Sequence, residues 1–574
     1  MYDVVFITPN MNGEIASEAM GTLLLSNILE ADGISCRVLP FFQIGDLGNF
    51  AQFIQHAVDL LSEMQPKIVS FYTRCDVYHI DLKLAESIIA KWKDVCIVCG
   101  GPQSDITATE TMQQIPYVDY ICCGEGETTI SPFFRSILQG SPDLTIPGVV
   151  YRADGSVVKN PRPELLKELD TLPMPDYSTL KSSGYKHSER KHFPIEIGRG
   201  CPFGCSFCST NSFWGRHFRL KSPERIYLEI KNAHKQFGCT KFKFTHDMFT
   251  LNRSKVVETC GYLRKLDFPV TWVGSSRLDC IDRELIDIMA DSGMTGLFFG
   301  IETGSSRMQK IIHKNLKLEN AVDIFGYMAS KNLKAKASFI FGFPEETEED
   351  ISETIDLIAQ LLCIRKVGVD THLCTFLVGT ELSEKYQSEM EPVDFYSNVT
   401  GSFAVEECKD IILQNPNIFM HMLEYKTELR TRLKHFDLFI RVWQCIQPVY
   451  QYISEKYPRN RLIDMYYDFV DANREILDRI EEVPYARQDL ALLKNDRFPL
   501  RFSDDENFDK MTDYCKFRRL ENSEAARNGQ GYSEVFCIDP SECSQKPLQA
   551  WTRCFAVVNR QQNELSVTCC PIDG

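Results

Sequence analysis

The sequence predicts an α/β protein: a doubly wound parallel sheet, then about six further strand–helix units, then a mainly α C-terminal part with a small β-hairpin. Short apolar runs alternate with amphipathic, helix-like stretches over residues 1–150 and again over 191–395. Continuously apolar strands of this kind are typical of parallel sheets that helices cover on both faces. We therefore expect domains at 1–150, 191–395 and 396–574, with a proline-containing linker at 151–190.

Composition limits the class of protein. The chain has 574 residues, 44% of them hydrophobic and 25% charged, as in ordinary multidomain globular proteins. The sequence contains no run of about eighteen apolar residues, so it predicts no membrane span. The N-terminus MYDVVFITPN is typical of a strand rather than a signal peptide. We therefore expect a cytoplasmic protein with no membrane association. A formal net charge of −16 weighs against nucleic acid as the main substrate, because phosphate binding needs a basic face.

The first domain is predicted from short strands with helices between them. The strands are Val4–Ile7, Cys36–Leu39, Lys67–Tyr72, Val95–Cys99 and Val118–Ile121, and the helices are Ala19–Ala31, Phe53–Met64 and Leu82–Trp92. Ligands of such sheets lie at the carboxyl ends of the strands. Glycines follow two of these ends, as Gly100-Gly101 and as Gly124 and Gly126. Glycine lets backbone amides approach a large ligand, although ordinary turns would give the same pattern.

The second domain repeats the alternation. Its predicted strands are Phe193–Ile197, Lys241–Phe244, Val270–Val273, Gly296–Phe299, Ala337–Phe341 and Val367–Cys374. A helix is predicted over Pro223–Lys235, with Ser222 as its N-cap and Pro223 in its first turn. Polar residues follow several of these strands, where β/α barrels carry their chemistry.

Three cysteines directly follow the strand Phe193–Ile197. Cys201, Cys205 and Cys208 have the spacing Cys-x3-Cys-x2-Cys, and three thiolates on a tight loop can hold three irons of a [4Fe–4S] cluster. No fourth cysteine lies at short range, so one iron would keep an open position for a substrate. Phe207 would shield the cluster. The alternatives are three buried free cysteines or a zinc site that lacks a ligand. Twenty-two cysteines in a cytosolic chain also favour a metal cluster over disulfides.

This loop resembles the signature of the radical S-adenosylmethionine (SAM) enzymes. The resemblance implies a partial (β/α)6 TIM-type barrel, a [4Fe–4S] cluster whose open iron is chelated by SAM, and reductive cleavage of SAM to a 5′-deoxyadenosyl radical. Thr245-His246-Asp247 departs from the Gly-Gly-Glu-Pro form known elsewhere in the family. Strand-end caps or ion pairs are the alternative for each implied SAM contact. These contacts are Phe207, Thr245, His246, Asp247, Ser275, Arg277, Glu302, Gly342 and Phe343.

The first domain resembles the cobalamin-binding domain attached to one large radical SAM subgroup. The matching stretches are Ser70–Thr73, Gly100–Pro102 and Gly124–Glu127, in the same order. The motif Asp-x-His-x-x-Gly, whose histidine ligates cobalt from below, is missing, so the resemblance implies cobalamin without a histidine lower ligand. The loop Tyr72–Cys75 would lie under the corrin, with Arg74 near cobalt or, alternatively, at the surface. The implied contacts are Thr8, Tyr72, Thr73, Arg74, Gly100, Gly101, Gly124, Glu125 and Gly126.

Together the two resemblances imply a cobalamin-dependent radical SAM C-methyltransferase acting on an unactivated carbon of a peptide or natural-product substrate. One SAM molecule would give its methyl group to cobalt and a second would be cleaved, with flavodoxin or ferredoxin as the reducing partner. The protein's part is placement of both cofactors around one carbon. Three alternatives stay open: an enzyme that catalyses cyclisation or rearrangement, a methylthiotransferase-like or RNA-modifying enzyme, and a non-catalytic cobalamin or redox sensor.

The C-terminal part matches the family far less well. Helices are predicted over Ile418–Gln447 and Arg461–Ile480, and a hairpin over Cys554–Cys569. Cysteines cluster here, and they allow either an auxiliary metal site or scattered thiols: Cys515, Cys537, Cys543, Cys554, Cys569 and Cys570. In the family, a C-terminal domain commonly closes the barrel mouth and recognises substrate, and we expect this role here.

Overall fold

The computed structural model describes residues 2–480 except 12, 14, 16, 189–190, 247, 365, 393–395, 398–401 and 445–460, and three strands beyond residue 480. The chain forms two compact units. The first comprises Met1–Phe298, Ile312–Lys314 and Thr375–Lys426, and the second comprises Phe299–Ile311, Asn315–Cys374 and Thr427–Gly574.

The first unit begins with a seven-stranded sheet. Its strands are β1 (Val4–Thr8), β2 (Cys36–Pro40), β3 (Ile68–Tyr72), β4 (Cys96–Gly100), β5 (Tyr120–Cys122), β6 (Val149–Ala153) and β7 (Ser156–Lys159). The order is β2-β1-β3-β4-β5-β6-β7, with the first five strands parallel and the last two antiparallel. The helices are α1 (Ser17–Ala31), α2 (Phe41–Ile44), α3 (Phe50–Met64), α4 (Tyr78–Lys91), α5 (Pro102–Ile106), α6 (Ala108–Gln114) and α7 (Ile130–Leu138). The predicted doubly wound sheet is confirmed.

This sheet forms because its strands are apolar on both faces. Every residue of β1 is buried, and α3 packs Phe53, Ala57 and Leu61 into the same core. Each large apolar side chain that is fully buried contributes about 1.5–3 kcal/mol. The core therefore fixes which way the strands run and gathers their carboxyl ends at one edge.

The sheet continues past residue 150, into the segment treated above as a linker. The strands β6 and β7 form a hairpin whose turn, Asp154-Gly155, has φ values of 49° and 76°. Two positive φ values in a two-residue turn match the twist of antiparallel strands, which is why Asp-Gly is favoured there. The signal was present in the sequence, but β7 is a short, partly exposed edge strand without a clear apolar pattern.

Eight further strands follow. They are β8 (Phe193–Glu196), β9 (Gly198–Arg199), β10 (Arg219–Leu220), β11 (Lys241–Thr245), β12 (Thr271–Ser276), β13 (Met294–Glu302), β14 (Lys334–Phe341) and β15 (Val367–Leu373). Six of them form one open sheet in the order β15-β14-β13-β12-β11-β8, which confirms the predicted partial barrel. The boundary between the two compact units falls inside β13, so each unit holds part of this sheet.

Helices follow the barrel strands and continue beyond them. They are α8 (Ser178–Ser182), α9 (Thr210–Trp214), α10 (Pro223–Phe237), α11 (Arg253–Leu263), α12 (Arg283–Ala290), α13 (Ser306–Ile311), α14 (Ala321–Ser330), α15 (Glu348–Leu362), α16 (Glu381–Tyr386), α17 (Lys409–Gln414), α18 (Glu428–Arg432), α19 (Phe436–Gln444) and α20 (Arg461–Leu477). The predicted cap of α10 is confirmed, since Ser222 Oγ accepts a hydrogen bond from Arg225 N at 3.0 Å. No helix within the described residues is long and apolar enough to cross a membrane.

The C-terminal helices differ from the prediction. The prediction of a single helix over Ile418–Gln447 is wrong. A separate helix, α18, begins at Glu428, where Thr427 Oγ1 accepts a hydrogen bond from Arg430 N at 3.0 Å. Such a cap ends one segment and begins another. The second predicted helix is confirmed as α20. Residues 445–447 of the first lie outside the described residues.

The last described strands are short pairs and a small sheet. The strands β16 (Tyr396–Ser397) and β17 (Ser402–Phe403) pair with each other, and β18 (Ser533–Ile538), β19 (Arg553–Asn559) and β20 (Glu564–Cys570) form an antiparallel sheet. The predicted hairpin is confirmed as β19 and β20. The six C-terminal cysteines lie outside the described side chains, so the auxiliary metal site stays a prediction.

Candidate functional site

The three predicted cluster ligands lie on an excursion from the barrel, residues 200–218, which we call the cluster loop. The strands β9 and β10 pair antiparallel at its base, with Arg199 opposite Arg219, so the loop leaves and returns at one place. Gly200 has a φ of 80°, and a Cβ there would lie 2.0 Å from the carbonyl oxygen of His217. Only glycine fits this position. The sequence analysis missed this ladder because each strand has only two residues.

The donor set of the cluster loop fits an iron–sulfur cluster. Cys201, Cys205 and Cys208 are partly exposed, and the cysteines with described side chains are thiols rather than disulfides. The amide of Cys208 donates to the carbonyl of Cys205 at 3.2 Å, which turns the loop tightly. Within the described residues, no three His, Cys, Asp or Glu side chains are grouped around a single-ion site. Thiolates that bind separate irons of a cluster do not need such a grouping.

Residues far along the chain clamp the middle of the cluster loop. The amide of Ser206 donates to the carbonyl of Ile312 at 3.0 Å, and the carbonyl of Ser206 accepts from the amide of Leu382 at 2.9 Å. Ser212 Oγ also donates to the carbonyl of Gly379. Both backbone groups at the centre of the loop are therefore satisfied by protein, which fixes the loop's path.

Arg277, a predicted SAM contact at the end of β12, lies against the cluster loop. Its guanidinium is 3.8 Å from the ring centroid of Phe203, between the first two cysteines. Its Nε and Nη2 donate to the carboxylate of Asp279 at 2.9 and 3.0 Å, and Nη2 also donates to the carbonyl of Lys314 at 2.9 Å. Ser275 lies two residues earlier on the same strand. The sequence analysis missed Phe203, Asp279 and Lys314, since only the fold brings them to Arg277.

The residues that follow β11 serve local structure in this conformation. Thr245 Oγ1 donates to the carbonyl of Ile195 at 3.0 Å, as a strand-end cap would. His246 Nδ1 accepts from the amide of Met248 at 2.7 Å. Burial lowers the pKa of His246 to about 4, against smaller opposing contributions from the Arg199 backbone and Glu196, so the ring is neutral near pH 7. Asp247 lies outside the described residues.

Glu302, in the second unit, ends β13 in a strained conformation. Its φ is 68°, a region that costs a non-glycine residue roughly 1–3 kcal/mol. The bend is held by α15: the amide of Gly304 donates to Thr354 Oγ1 at 2.9 Å, and the hydroxyls of Thr303 and Thr354 are 3.1 Å apart. Strain that the surroundings enforce is typical of functional sites. Glu302 is also buried.

The implied SAM contacts Gly342 and Phe343 lie after β14 in the same unit. The amide of Gly342 donates to Glu346 Oε2 at 2.6 Å, and the side chain of Arg430 packs on Gly342. Phe343 is buried. Burial raises the pKa of Glu346 to about 8, so this carboxyl group is largely protonated at neutral pH. The sequence analysis did not single out Glu346 or Arg430, since neither differs from a surface residue in its local pattern.

In the first unit, the loops after β3 and β4 are joined through their backbones. The amide and the hydroxyl of Thr73 donate to the carbonyl of Gly100 at 2.8 and 3.0 Å. Gly101 has a φ of 103°, and a Cβ there would lie 2.9 Å from the carbonyl oxygen of Thr73 and 3.2 Å from the ring of Tyr72. Four of the predicted cobalamin contacts are therefore brought together.

Two further predicted contacts are paired with protein groups. Arg74 donates to Asp76 through Nε at 3.0 Å and through Nη2 at 2.5 Å, so a carboxylate balances its charge. Thr8 Oγ1 lies 3.1 Å from the hydroxyl of Tyr185 in a buried hydrogen bond.

The loop after β5 is tied to the base of the cluster loop. Glu125 Oε1 accepts from Arg199 Nη1 at 2.7 Å, and Oε2 accepts from Arg219 Nη1 at 2.8 Å and from the amide of Leu166 at 2.7 Å. Burial acts to raise the pKa of Glu125. Hydrogen bonds from Arg219 and Arg199 outweigh burial and hold this pKa below its usual value. The flanking glycines pack closely, Gly124 near Pro163 and Gly126 near Leu25.

A buried histidine pair lies behind the loop after β3. Burial, with a smaller contribution from His421, lowers the pKa of His79 to about 3, and burial lowers that of His421 to about 4. His421 lies close to the backbone of Cys75. Both rings are therefore neutral at physiological pH. The sequence analysis did not single out His421, because it comes from a segment beyond the barrel.

Part of the barrel is similar in sequence to a known protein family. The sequence model of the radical SAM superfamily matches residues 195–358. The chain is 30% identical over 286 residues to an uncharacterized methyltransferase of Pyrococcus horikoshii, which covers 50% of this chain and 61% of that protein. It is 28% identical over 270 residues to an anaerobic magnesium-protoporphyrin IX monomethyl ester cyclase of Rubrivivax gelatinosus, covering 46% and 48%. The match thus spans 61% and 48% of the length of these two relatives.

Solved structures share the fold at low identity. The methyltransferase TsrM of Kitasatospora setae, with cobalamin and a [4Fe–4S] cluster bound, superposes with a TM-score of 0.57 at 16% identity, covering 80% of this chain and 100% of that one. The cobalamin-dependent enzyme OxsB, with aqua-cobalamin and SAM bound, gives 0.59 at 15% identity, covering 92% and 73%. Residues 195–358 therefore match the radical SAM superfamily, and the chain has a fold similar to that of these two solved enzymes.

Proposed function

We propose that this chain is a cobalamin-dependent radical SAM C-methyltransferase that acts on an unactivated carbon of a peptide or natural-product substrate. The observation that carries the proposal is that one compact unit holds both the three-thiol cluster loop and the glycine-rich carboxyl edge of a parallel sheet. Among the relatives, an uncharacterized methyltransferase and the cytidylyl-2-hydroxyethylphosphonate methyltransferase of Streptomyces wedmorensis support methyl transfer.

The cluster and SAM would be held by residues at the barrel's strand ends. Cys201, Cys205 and Cys208 would ligate three irons, and Arg277 orders the loop between them by stacking on Phe203. The implied SAM contacts remain those named from the sequence: Phe207, Thr245, His246, Asp247, Ser275, Arg277, Glu302, Gly342 and Phe343.

Cobalamin would lie at the edge formed by the loops after β3, β4 and β5. A Cβ on Gly100 would have only the Cys122 carbonyl oxygen near it, at 3.8 Å, so this position offers open space for close approach of a large ring. His79 Nε2 accepts from the amide of Val405 at 3.4 Å and its ring is buried, which favours a corrin without a histidine lower ligand. When bound, the three cofactors would supply a hydrogen-abstracting radical and a transferable methyl group.

A second candidate function keeps both cofactors without methyl transfer. It is favoured by the similarity to anaerobic magnesium-protoporphyrin IX monomethyl ester cyclases, because their name denotes a cyclisation reaction. Substrate class is open between a peptide and a small molecule, and the solved TsrM complex with tryptophan favours the small molecule. A flavodoxin or ferredoxin would supply the electron for SAM cleavage.

The test is an absorption spectrum followed by product analysis. The protein is purified without oxygen, reconstituted with iron and sulfide, incubated with hydroxocobalamin and desalted. We expect retained corrin and iron–sulfur bands, then both 5′-deoxyadenosine and S-adenosylhomocysteine on reduction with SAM. Retained corrin without S-adenosylhomocysteine would favour cyclisation or rearrangement, and iron–sulfur bands without corrin would overturn the cobalamin assignment.

A further inference from the structure

The first unit contains a buried group of charges that are paired with one another. We call it the strut: the carboxylates Glu125 and Glu127 in the loop after β5, and the guanidinium groups Arg199 and Arg219 on β9 and β10. The side chains of Arg199 and Glu125 are 6% and 1% exposed. Charges so far from water are costly unless their partners are close and well oriented.

Arg199 makes three charged contacts in three directions. Its Nη1 donates to Glu125 Oε1 at 2.7 Å, its Nη2 to Glu127 Oε1 at 2.6 Å and its Nε to Glu196 Oε1 at 3.0 Å. A planar guanidinium with several acceptors cannot rotate without losing at least one of them. The orientation of Arg199 is therefore fixed by the loop after β5.

Arg219 ties the opposite strand to the same carboxylate. It faces Arg199 across the β9–β10 ladder, and its Nη1 donates to Glu125 Oε2 at 2.8 Å. Trp214 covers both cations, with guanidinium carbons 5.8 and 5.4 Å from its ring centroid. One glutamate thus bridges the two strands at which the cluster loop leaves and re-enters the barrel.

The position of the strut links the two loops that would carry cofactors. Arg199 is two residues before Cys201, and Glu125 and Glu127 alternate with Gly124 and Gly126 in the loop after β5. Buried ion pairs contribute little net stability compared with apolar packing, and their best-attested use is to fix register. A methyl-transfer enzyme needs such a constraint, since an error of about 1 Å between reacting groups can cost 10²-fold in rate.

We propose that Arg199 is a positioning residue that holds the loop Gly124–Thr128 at a fixed distance and orientation from the cluster loop. The assignment rests on the proposed function, because it gives those two loops the two cofactors. Arg199 itself need not touch either cofactor. Its role is exerted through Glu125 and Glu127.

The test measures the distance between the two metal centres. Cob(II)alamin and the reduced cluster are both paramagnetic, so pulsed electron paramagnetic resonance reports their dipolar coupling. We expect Arg199→Lys to broaden the distance distribution roughly twofold, because an ammonium group cannot match the three-way guanidinium geometry. The milder Glu127→Gln, which removes one charged partner, should broaden it less. Arg253→Lys, which removes a two-way guanidinium contact with Asp282 and Glu284 at the surface, is the matched control and should leave the distribution unchanged.

Each outcome of these measurements supports or overturns the positioning role of Arg199. An unchanged distribution in Arg199→Lys, with both cofactors bound, overturns the proposal. If the wild-type chain binds no corrin, the proposed function has failed, and hydrogen exchange of the cluster-free, corrin-free protein then tests the strut alone. Arg199→Lys should speed exchange at residues 124–128 and 200–208 while sparing β11, whereas uniform acceleration would mean general destabilisation and would overturn the positioning role. If Arg199→Lys does not fold, Glu127→Gln answers the same question.

Discussion

The two edges to which cofactors are assigned are built differently. The edge of the N-terminal sheet is shaped by backbone: Gly101 and Thr73 approach so closely that a single added carbon would meet a carbonyl oxygen at 2.9 Å. The strand ends of the barrel are shaped by polar side chains, such as Arg277 on Asp279 and Glu346 on the Gly342 amide. Added volume should therefore damage the first edge, whereas changes of charge or shape should damage the second.

The largest effect we expect is on the barrel side, from Cys205→Ala. Removal of one thiolate leaves two ligands for a cluster that needs three. Iron–sulfur absorbance after reconstitution and all 5′-deoxyadenosine formation should be lost. Cys363→Ala, at the end of α15, is the control and should reconstitute normally. A Cys205→Ala protein that retained SAM cleavage would contradict the cluster assignment.

Gly101→Ala should break the sheet edge selectively. The left-handed φ and the contact with Thr73 predict a local cost of about 1–3 kcal/mol and a displaced loop. Corrin retention after desalting should fall sharply while iron–sulfur absorbance stays.

The matched control is Gly261→Ala in α11, where an added Cβ meets nothing within 4 Å. It should bind corrin as the wild type does. If Gly101→Ala retains corrin to the same extent, the backbone-shaped edge is not the cobalamin site.

Arg277→Lys tests the role of side-chain shape at the strand ends of the barrel, because it keeps the positive charge and changes only the geometry of the donors. Lysine cannot donate the fork to Asp279 and stack on Phe203 at once. We expect SAM to bind about tenfold more weakly, roughly the effect of one charge-assisted contact. Equilibrium binding and the SAM-induced change in the cluster's paramagnetic spectrum measure this. Unchanged binding in both assays would exclude Arg277 from the SAM site.

Glu346→Gln should have the smallest effect on cofactor binding, and we expect its consequence in the pH dependence of the free energy of unfolding. The pKa of Glu346 is raised by burial to about 8, so below pH 4.5 the carboxyl is neutral in both the folded and unfolded states. As pH rises from about 4.5 to 8, the unfolded chain ionises first and the wild type loses stability.

Glutamine cannot ionise, so the stability of the variant relative to the wild type should rise by about 4 kcal/mol between pH 5 and pH 8.5. Unfolding by urea at both pH values measures the difference, with the exposed Glu349→Gln as control. An equal pH response in wild type and Glu346→Gln would contradict the raised pKa.

Local patterns predicted most of the fold. Apolar runs placed the first five strands of the sheet and all six strands of the barrel, and Ser222 before Pro223 placed the start of α10. The pattern failed where elements were too short to show a period, at β9 and β10, and where a new cap at Thr427 interrupted an apparently continuous helix. The sequence Asp154-Gly155 is typical of a hairpin turn, but the prolines that follow it favoured the prediction of a linker over residues 151–190.

The candidate site divides in the same way. The thiols and glycines were found because their spacing is local in sequence. The partners that orient them were not, because Phe203 meets Arg277, and Glu125 meets Arg199, only once the chain has folded. Sequence patterns therefore led to the hypothesis about cofactors, whereas the ion pairs that hold the loops required tertiary structure.

The clamp on the cluster loop has a consequence for how the protein is made. Its two backbone partners, Ile312 and Leu382, come later in the chain than the thiols they hold in place. On the ribosome, the three cysteines therefore emerge before the residues that will restrain them. Iron delivered in that interval meets a loop without these two restraints, whereas iron delivered to the folded chain meets a loop already held at Ser206. The order of cluster assembly and folding therefore sets which form of the loop the metal meets.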